Sequence, residues 1–162
     1  MYNMSYTEDF IKTMYLRIGI LSPRQLNQQQ IAIKLRIELF YWEETSRALF
    51  LKDKPYIFIN ARLSKEEQWQ DFCHELAHIL MHSGHQSWLP PLFVEYQESK
   101  ANNFMYHACI PTFMLENLKI EDYFYSTVLK VSKLFHVEYD FAFKRLQKYI
   151  HNKTFMQSLH SK

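Results

Sequence analysis

Residues 64–83 read SKEEQWQDFCHELAHILMHS, and this stretch decides the fold. Ser64 and Glu67 have the spacing of a capping box, in which the serine hydroxyl takes an orphan backbone N–H and the glutamate reaches back to the N-cap. A helix therefore starts near Lys65. Trp69, Phe72, Leu76, Ile79 and Leu80 form its apolar stripe, and Gly84 is placed to supply a left-handed stop, so the run to Ser83 is predicted to be one amphipathic helix. On it lies His74-Glu75-Leu76-Ala77-His78, an H-E-x-x-H. Imidazoles at i and i+4 leave a helix side by side and can grip one Zn²⁺ at about 2.0–2.1 Å each, while the glutamate, one residue round, reaches a water rather than the ion. The competing interpretation is a solvated His/Glu face on a core helix.

A catalytic zinc takes three protein ligands and keeps one position open. The metzincin extension would need a glycine at position 81 and a histidine at 84; the chain has Met81 and Gly84 and fails that pattern. His82 and His85 lie nearby, and His82 reads as a solvated residue at the helix end. The other solution is a carboxylate from the next helix. Glu98 stands twenty residues beyond His78 in a segment of helical character after Pro90-Pro91, and Glu95, three residues earlier on much the same face, competes with it.

Upstream, Phe10, Ile11, Met14, Tyr15 and Ile18 predict a helix over about 6–18 ending near Gly19, and Pro23 opens a second, with Leu26, Gln30, Ile33 and Ile37 on one side. From Ile37 the texture turns β-branched and aromatic in three runs, ELFYWEE, RALFLKD and PYIFINA, which predict a three-stranded meander. With only two glycines in 162 residues there is no phosphate-cradling loop, which excludes folds built on such turns. Cys73 and Cys109 are too few for a disulfide framework and are expected as buried thiols. Glu8 and Asp9 stand where a secretory leader carries basic residues, and no run approaches about 18 apolar residues, so a cytoplasmic protein with no membrane segment is expected.

The run Glu98-Ser99-Lys100-Ala101-Asn102-Asn103-Phe104, followed by Cys109-Ile110-Pro111, resembles the E-x-x-A-N-x-F…L-x-P signature that follows H-E-x-x-H in the ImmA/IrrE family of metallopeptidases. The resemblance covers most of residues 10–150, including the Ile57-Phe58-Ile59-Asn60 strand; Met105 and Cys109 depart from the usual alanine and leucine without touching a ligand. It implies that Glu98, not Glu95, is the third zinc ligand. It also implies a fold class of α+β: a mainly helical zincin-like metallopeptidase with a small antiparallel sheet and a helix-turn-helix-like C-terminal region. Residues 1–162 are then one domain, with 1–36 as N-terminal helices, 37–118 as sheet plus active-site helices, and 119–152 as the helical C-terminal region.

On the second active-site helix a small residue at Ala101 lets two helices approach. Asn102 is a candidate for holding a ligand by a hydrogen bond and Asp71, three residues before His74, for accepting one, while His107 is out of phase with Glu98. Glu75 is the expected general base, taking a proton from the attacking water and returning it to the leaving amine. No oxyanion donor is identifiable; Tyr96 and His85 are poor candidates. Substrate-binding residues are not legible, although a peptide could join an exposed sheet edge, either at Tyr56–Asn60 or elsewhere should that strand be internal. The family's substrate is a transcriptional repressor, often of a prophage or mobile element, which makes a protein substrate the expected partner.

Residues 119–162 hold eight Lys/Arg against four Asp/Glu, and the stretch from Ser126 reads as two helices broken at His136-Val137. Lys144, Arg145 and Lys148 could face a DNA groove, yet Leu146, Tyr149 and Ile150 of the same helix need to pack, so DNA binding is not expected. Two further alternatives are a non-catalytic regulator binding DNA or a repressor, and a metal-binding module without turnover.

Overall fold

Capping chemistry sets where the helices begin. At the head of α1 (Tyr6–Arg17) the Ser5 N–H donates to Glu8 Oε2 at 2.8 Å and the Glu8 N–H returns to Ser5 Oγ at 3.4 Å. Asn27 Oδ1 accepts from the Gln30 N–H at 3.0 Å and opens α2 (Gln28–Lys34). The expected box then opens α3 (Lys65–Met81), with Ser64 N–H to Glu67 Oε2 at 2.8 Å and Glu67 N–H to Ser64 Oγ at 3.1 Å. The remaining helices are α4 (Pro91–Cys109), α5 (Thr112–Asn117), α6 (Tyr125–Phe135) and α7 (Tyr139–His160). The computed structural model describes residues 4–81 and 90–160; His82, Ser83, Gly84 and His85, with the stop expected there, lie outside the described residues.

Asn27 changes the reading of the second helix. Pro23–Gln25 is only a 3₁₀ turn, and the new cap restarts the phase, so that Gln28, Ile31 and Ala32 are buried while Ile33 is exposed. By contact the chain forms two compact units, Asn27–Cys109 and the combination of Met1–Leu26 with Ile110–Lys162.

In the first of these units the three strands are β1 (Glu38–Trp42), β2 (Arg47–Leu51) and β3 (Lys54–Asn60). Their order is β1-β3-β2, with β1 parallel and β2 antiparallel to β3, so the sheet is mixed and neither antiparallel nor a meander. Two local facts account for this. Lys52 and Asp53 both take positive φ, 49° and 63°, the pattern of a two-residue hairpin that locks β3 to β2. And β3 carries Ile57 and Ile59, fully buried, which makes it the strand with most to gain from the centre. Tyr56–Asn60 is therefore internal, and β1 and β2 are the edges.

The inner sheet face packs with α3, whose Trp69, Phe72, Leu76 and Ala77 are buried; α3 in turn packs along α4 through Ala101, Phe104 and Ala108. Cys73 and Cys109 are buried thiols in hydrogen-bond contact, and burial pushes the Cys73 thiol well up.

The other unit buries Ile11, Tyr15, Val128, Val131, Phe135, Leu146 and Tyr149. His136 in the left-handed conformation, φ 55°, ends α6 and permits the sharp turn into α7 where the break was expected. The basic patch needs correction. Arg145 is 1% exposed, donating from Nε to the Ile110 carbonyl at 3.1 Å and from Nη2 to Thr112 Oγ1 at 2.7 Å, and Thr112 donates to Glu8. Only Lys144 and Lys148 of the three reach solvent. A guanidinium with five donors can be buried when carbonyl and hydroxyl acceptors surround it, which the Lys-Arg-x-x-Lys spacing does not reveal.

Candidate metal centre

Two helices brought close by alanines build the site. Ala77 and Ala101 are both fully buried, and no side chain there holds α3 and α4 apart. His74 and His78, one turn apart on α3, aim their Nε2 atoms to within 3.2 Å of each other. Glu98 of α4 closes the figure, with Oε2 3.0 Å from His74 Nε2 and Oε1 3.2 Å from His78 Nε2. One donor atom from each residue lies within 4.8 Å of the other two, an arrangement that could hold a metal ion. Around a tetrahedral ion with bonds of about 2.0–2.1 Å, neighbouring ligand atoms stand about 3.3 Å apart. The two nitrogens thus stand about as far apart as neighbouring ligands of one such ion, each with a carboxylate oxygen at a similar distance, and two nitrogens with a carboxylate suit zinc.

The next layer orients the first. Asn102, one turn beyond Glu98 on α4, places Oδ1 3.0 Å from His74 Nδ1. An amide oxygen only accepts, so in this contact Nδ1 would carry the proton, which would leave the Nε2 lone pair for ligation. Asp71 lines the same cleft one turn before His74; with both His74 ring nitrogens engaged by Asn102 and Glu98, Asp71 acts on the site through its charge.

Glu75 is held back from the triad and largely buried. Desolvation pushes its carboxyl up from 4.5 to about 7; the Ala48 backbone N–H and the Arg47 charge pull it down, while the negative charges of Asp71 and Glu98 add to the rise. A cation between the ligands would lower it again. The Ala48 contact also ties the carboxyl to β2, which is an edge strand.

A cleft of about 1120 Å³ surrounds these groups. Thr45 to Phe50 line it from the β1–β2 connection and β2, Asp71, His74, Glu75, His78 and Ile79 from α3, and Gln97, Glu98, Asn102 and Met105 from α4. The structure therefore brings together His74, Glu75, His78, Glu98, Asn102 and Asp71. Glu95 is exposed and is not among the lining residues, nor is Tyr96, over whose ring Lys100 lies. His107 is buried and outside the lining, and His82 and His85 lie outside the described residues. Sequence reasoning missed the β2 wall and Gln97. The first follows from strand order, for which no local signal exists; the second is one residue from Glu98 and looks like any solvated helix glutamine.

Known proteins are similar to this chain over most of its length. The Peptidase_M78 family, an IrrE N-terminal-like domain, matches residues 28–147. The phage-like element PBSX protein XkdA of Bacillus subtilis (strain 168) is 37% identical over 155 residues, which is 95% of this chain and 78% of that protein. The uncharacterized protein YqaB of the same strain is 38% identical over 153 residues, 94% of this chain and 89% of its own length.

Proposed function

The chain belongs to the family of IrrE N-terminal-like peptidases, and on that premise we propose that it is a zinc-dependent endopeptidase of the ImmA/IrrE type whose substrate is a transcriptional repressor of a prophage or mobile element. The observation that carries the reading is the triad of His74, His78 and Glu98, spaced as ligands of one tetrahedral ion with a buried carboxyl beside it. Zinc bound there would supply a Lewis acid that polarises the scissile carbonyl and acidifies a water.

The remaining work falls to the chain's own residues. Glu75 takes the proton of the water that attacks the carbonyl carbon and delivers it to the leaving nitrogen, with the Ala48 N–H holding its carboxyl in place. Asn102 holds the His74 ring in one tautomer and orientation. β2 offers an unpaired strand edge beside Glu75, along which an extended substrate segment adds as a further strand; of the two readings of Tyr56–Asn60, the internal strand holds.

The repressor is proposed as substrate because XkdA carries a phage-element name and shares 37% of its residues with this chain. No helix among the described residues is long and apolar enough to cross a membrane, and we place the protein in the cytoplasm, where such a repressor acts. The burial of Arg145 leaves two exposed lysines on that face of α7, too few for a DNA reader. The test is incubation of the zinc-loaded protein with the repressor encoded beside its gene: discrete cleavage abolished by a chelator and restored by zinc is expected, and an intact repressor would refute the assignment.

A further inference from the structure

Gln97 of α4 is 5% exposed and lines the cleft; its carboxamide has no hydrogen-bond partner among the described residues and is not among the polar groups shut off from solvent, so it opens to the cleft. Methionine or leucine at this position would fill the same space, so packing alone does not call for a carboxamide that opens to the cleft. The neighbours on the same helix are Glu98, one residue on, and Met105, two turns on, both lining the same cleft. Gln70, the cleft's other buried glutamine, has interactions within the protein.

We propose that Gln97 is a recognition residue for the substrate chain. Its Nε2–H donates and its Oε1 accepts, the pair of functions that matches an amide, whether the substrate's main chain or an Asn or Gln side chain next to the scissile bond. The assignment rests on the metallopeptidase reading, since the substrate must lie in this cleft to meet Gln97. It makes Gln97 a determinant of affinity that carries no proton and holds no ligand.

Hydroxamates test this without relying on turnover. Three are compared by titration calorimetry on the zinc-loaded protein: acetohydroxamate, which addresses the metal alone; a hydroxamate carrying an Ala-Ala amide arm; and one carrying an Ala-Gln amide arm. In the parent, at least one arm should bind more tightly than acetohydroxamate, the Ala-Ala arm if Gln97 reads the main chain and only the Ala-Gln arm if it reads a carboxamide. Q97A and Q97M should each lose about two- to tenfold of that gain, the range of one net hydrogen bond, while keeping parental zinc content and acetohydroxamate affinity. The Tm of Q97M should equal or exceed the parent's, which a structural glutamine would not permit. Arms that keep their full gain in both variants, or that add nothing in the parent, would overturn the role of Gln97 alone. Failure of acetohydroxamate to bind the zinc-loaded parent would overturn the metallopeptidase reading, and this assignment with it.

Discussion

Two polar clusters of this protein, one buried around Arg145 and one partly open to a cleft, are answered in different ways. In the unit formed by Met1–Leu26 and Ile110–Lys162, Arg145 is withdrawn from water and answered within the protein by the Ile110 carbonyl and by Thr112, which donates onward to Glu8. In the unit Asn27–Cys109, two histidines and a glutamate, all partly buried, converge with donor atoms 3.0–3.2 Å apart, an arrangement that could hold a metal ion. Glu75 and Gln97 line the same cleft beside them. Polarity that the chain satisfies itself serves stability and specificity of packing; polarity that converges in an open cleft is available to a ligand.

The largest expected effect separates the clusters by chemistry. Glu75→Gln removes the proton acceptor while preserving shape, so cleavage of the repressor should fall about 10²- to 10⁴-fold with zinc content unchanged. Parental cleavage by that variant would mean that the carboxyl's burial has no catalytic meaning. Arg145→Met should act on stability instead. It leaves the Thr112–Glu8 pair without its cation and should cost about 3 kcal/mol in urea denaturation, whereas adding Glu8→Gln should recover much of the loss. A neutral single variant would dissolve the contrast between the two regions.

Asn102→Ala sharpens the comparison within the metal cluster. Freed to rotate and to change tautomer, His74 should bind zinc about 10- to 100-fold more weakly in competition with a chromophoric chelator. The smallest effect concerns protons. In the metal-free chain Glu75 is raised from 4.5 to about 7, chiefly by desolvation, so the folded state keeps a proton that the unfolded state releases. The stability tied to that proton is fully present below about pH 4.5 and is lost as the pH rises through about 7, on the order of 2 kcal/mol in all. Thermal melts of metal-free parent and Glu75→Gln should diverge across that window; parallel curves would show a solvated carboxyl.

How much of this was legible in the sequence depended on the reach of each signal. The Ser64–Glu67 box, the H-E-x-x-H spacing and the placement of Glu98 are patterns within a helix or between two consecutive ones; the box forms, and His74, His78 and Glu98 come within reach of one another. The sheet order was not legible, because pairing β1 with β3 across an intervening hairpin leaves no trace in either strand's own alternation. Asn27 was passed over as an interior residue when it is a cap, which put Ile33 on the wrong face. Arg145 and Gln97 were hidden by residue type: arginine and glutamine on an amphipathic helix are usually solvated, and only the acceptors around Arg145 and the cleft beside Gln97 reveal otherwise.

The central claim is that His74, His78 and Glu98 together hold one metal ion. Elemental analysis of the protein purified without chelator measures it directly, comparing the parent with Glu98→Ala and Glu95→Ala. The account predicts about one zinc per chain in the parent and in Glu95→Ala, and little in Glu98→Ala, since two imidazoles alone grip zinc weakly. Full occupancy in a folded Glu98→Ala protein would contradict it.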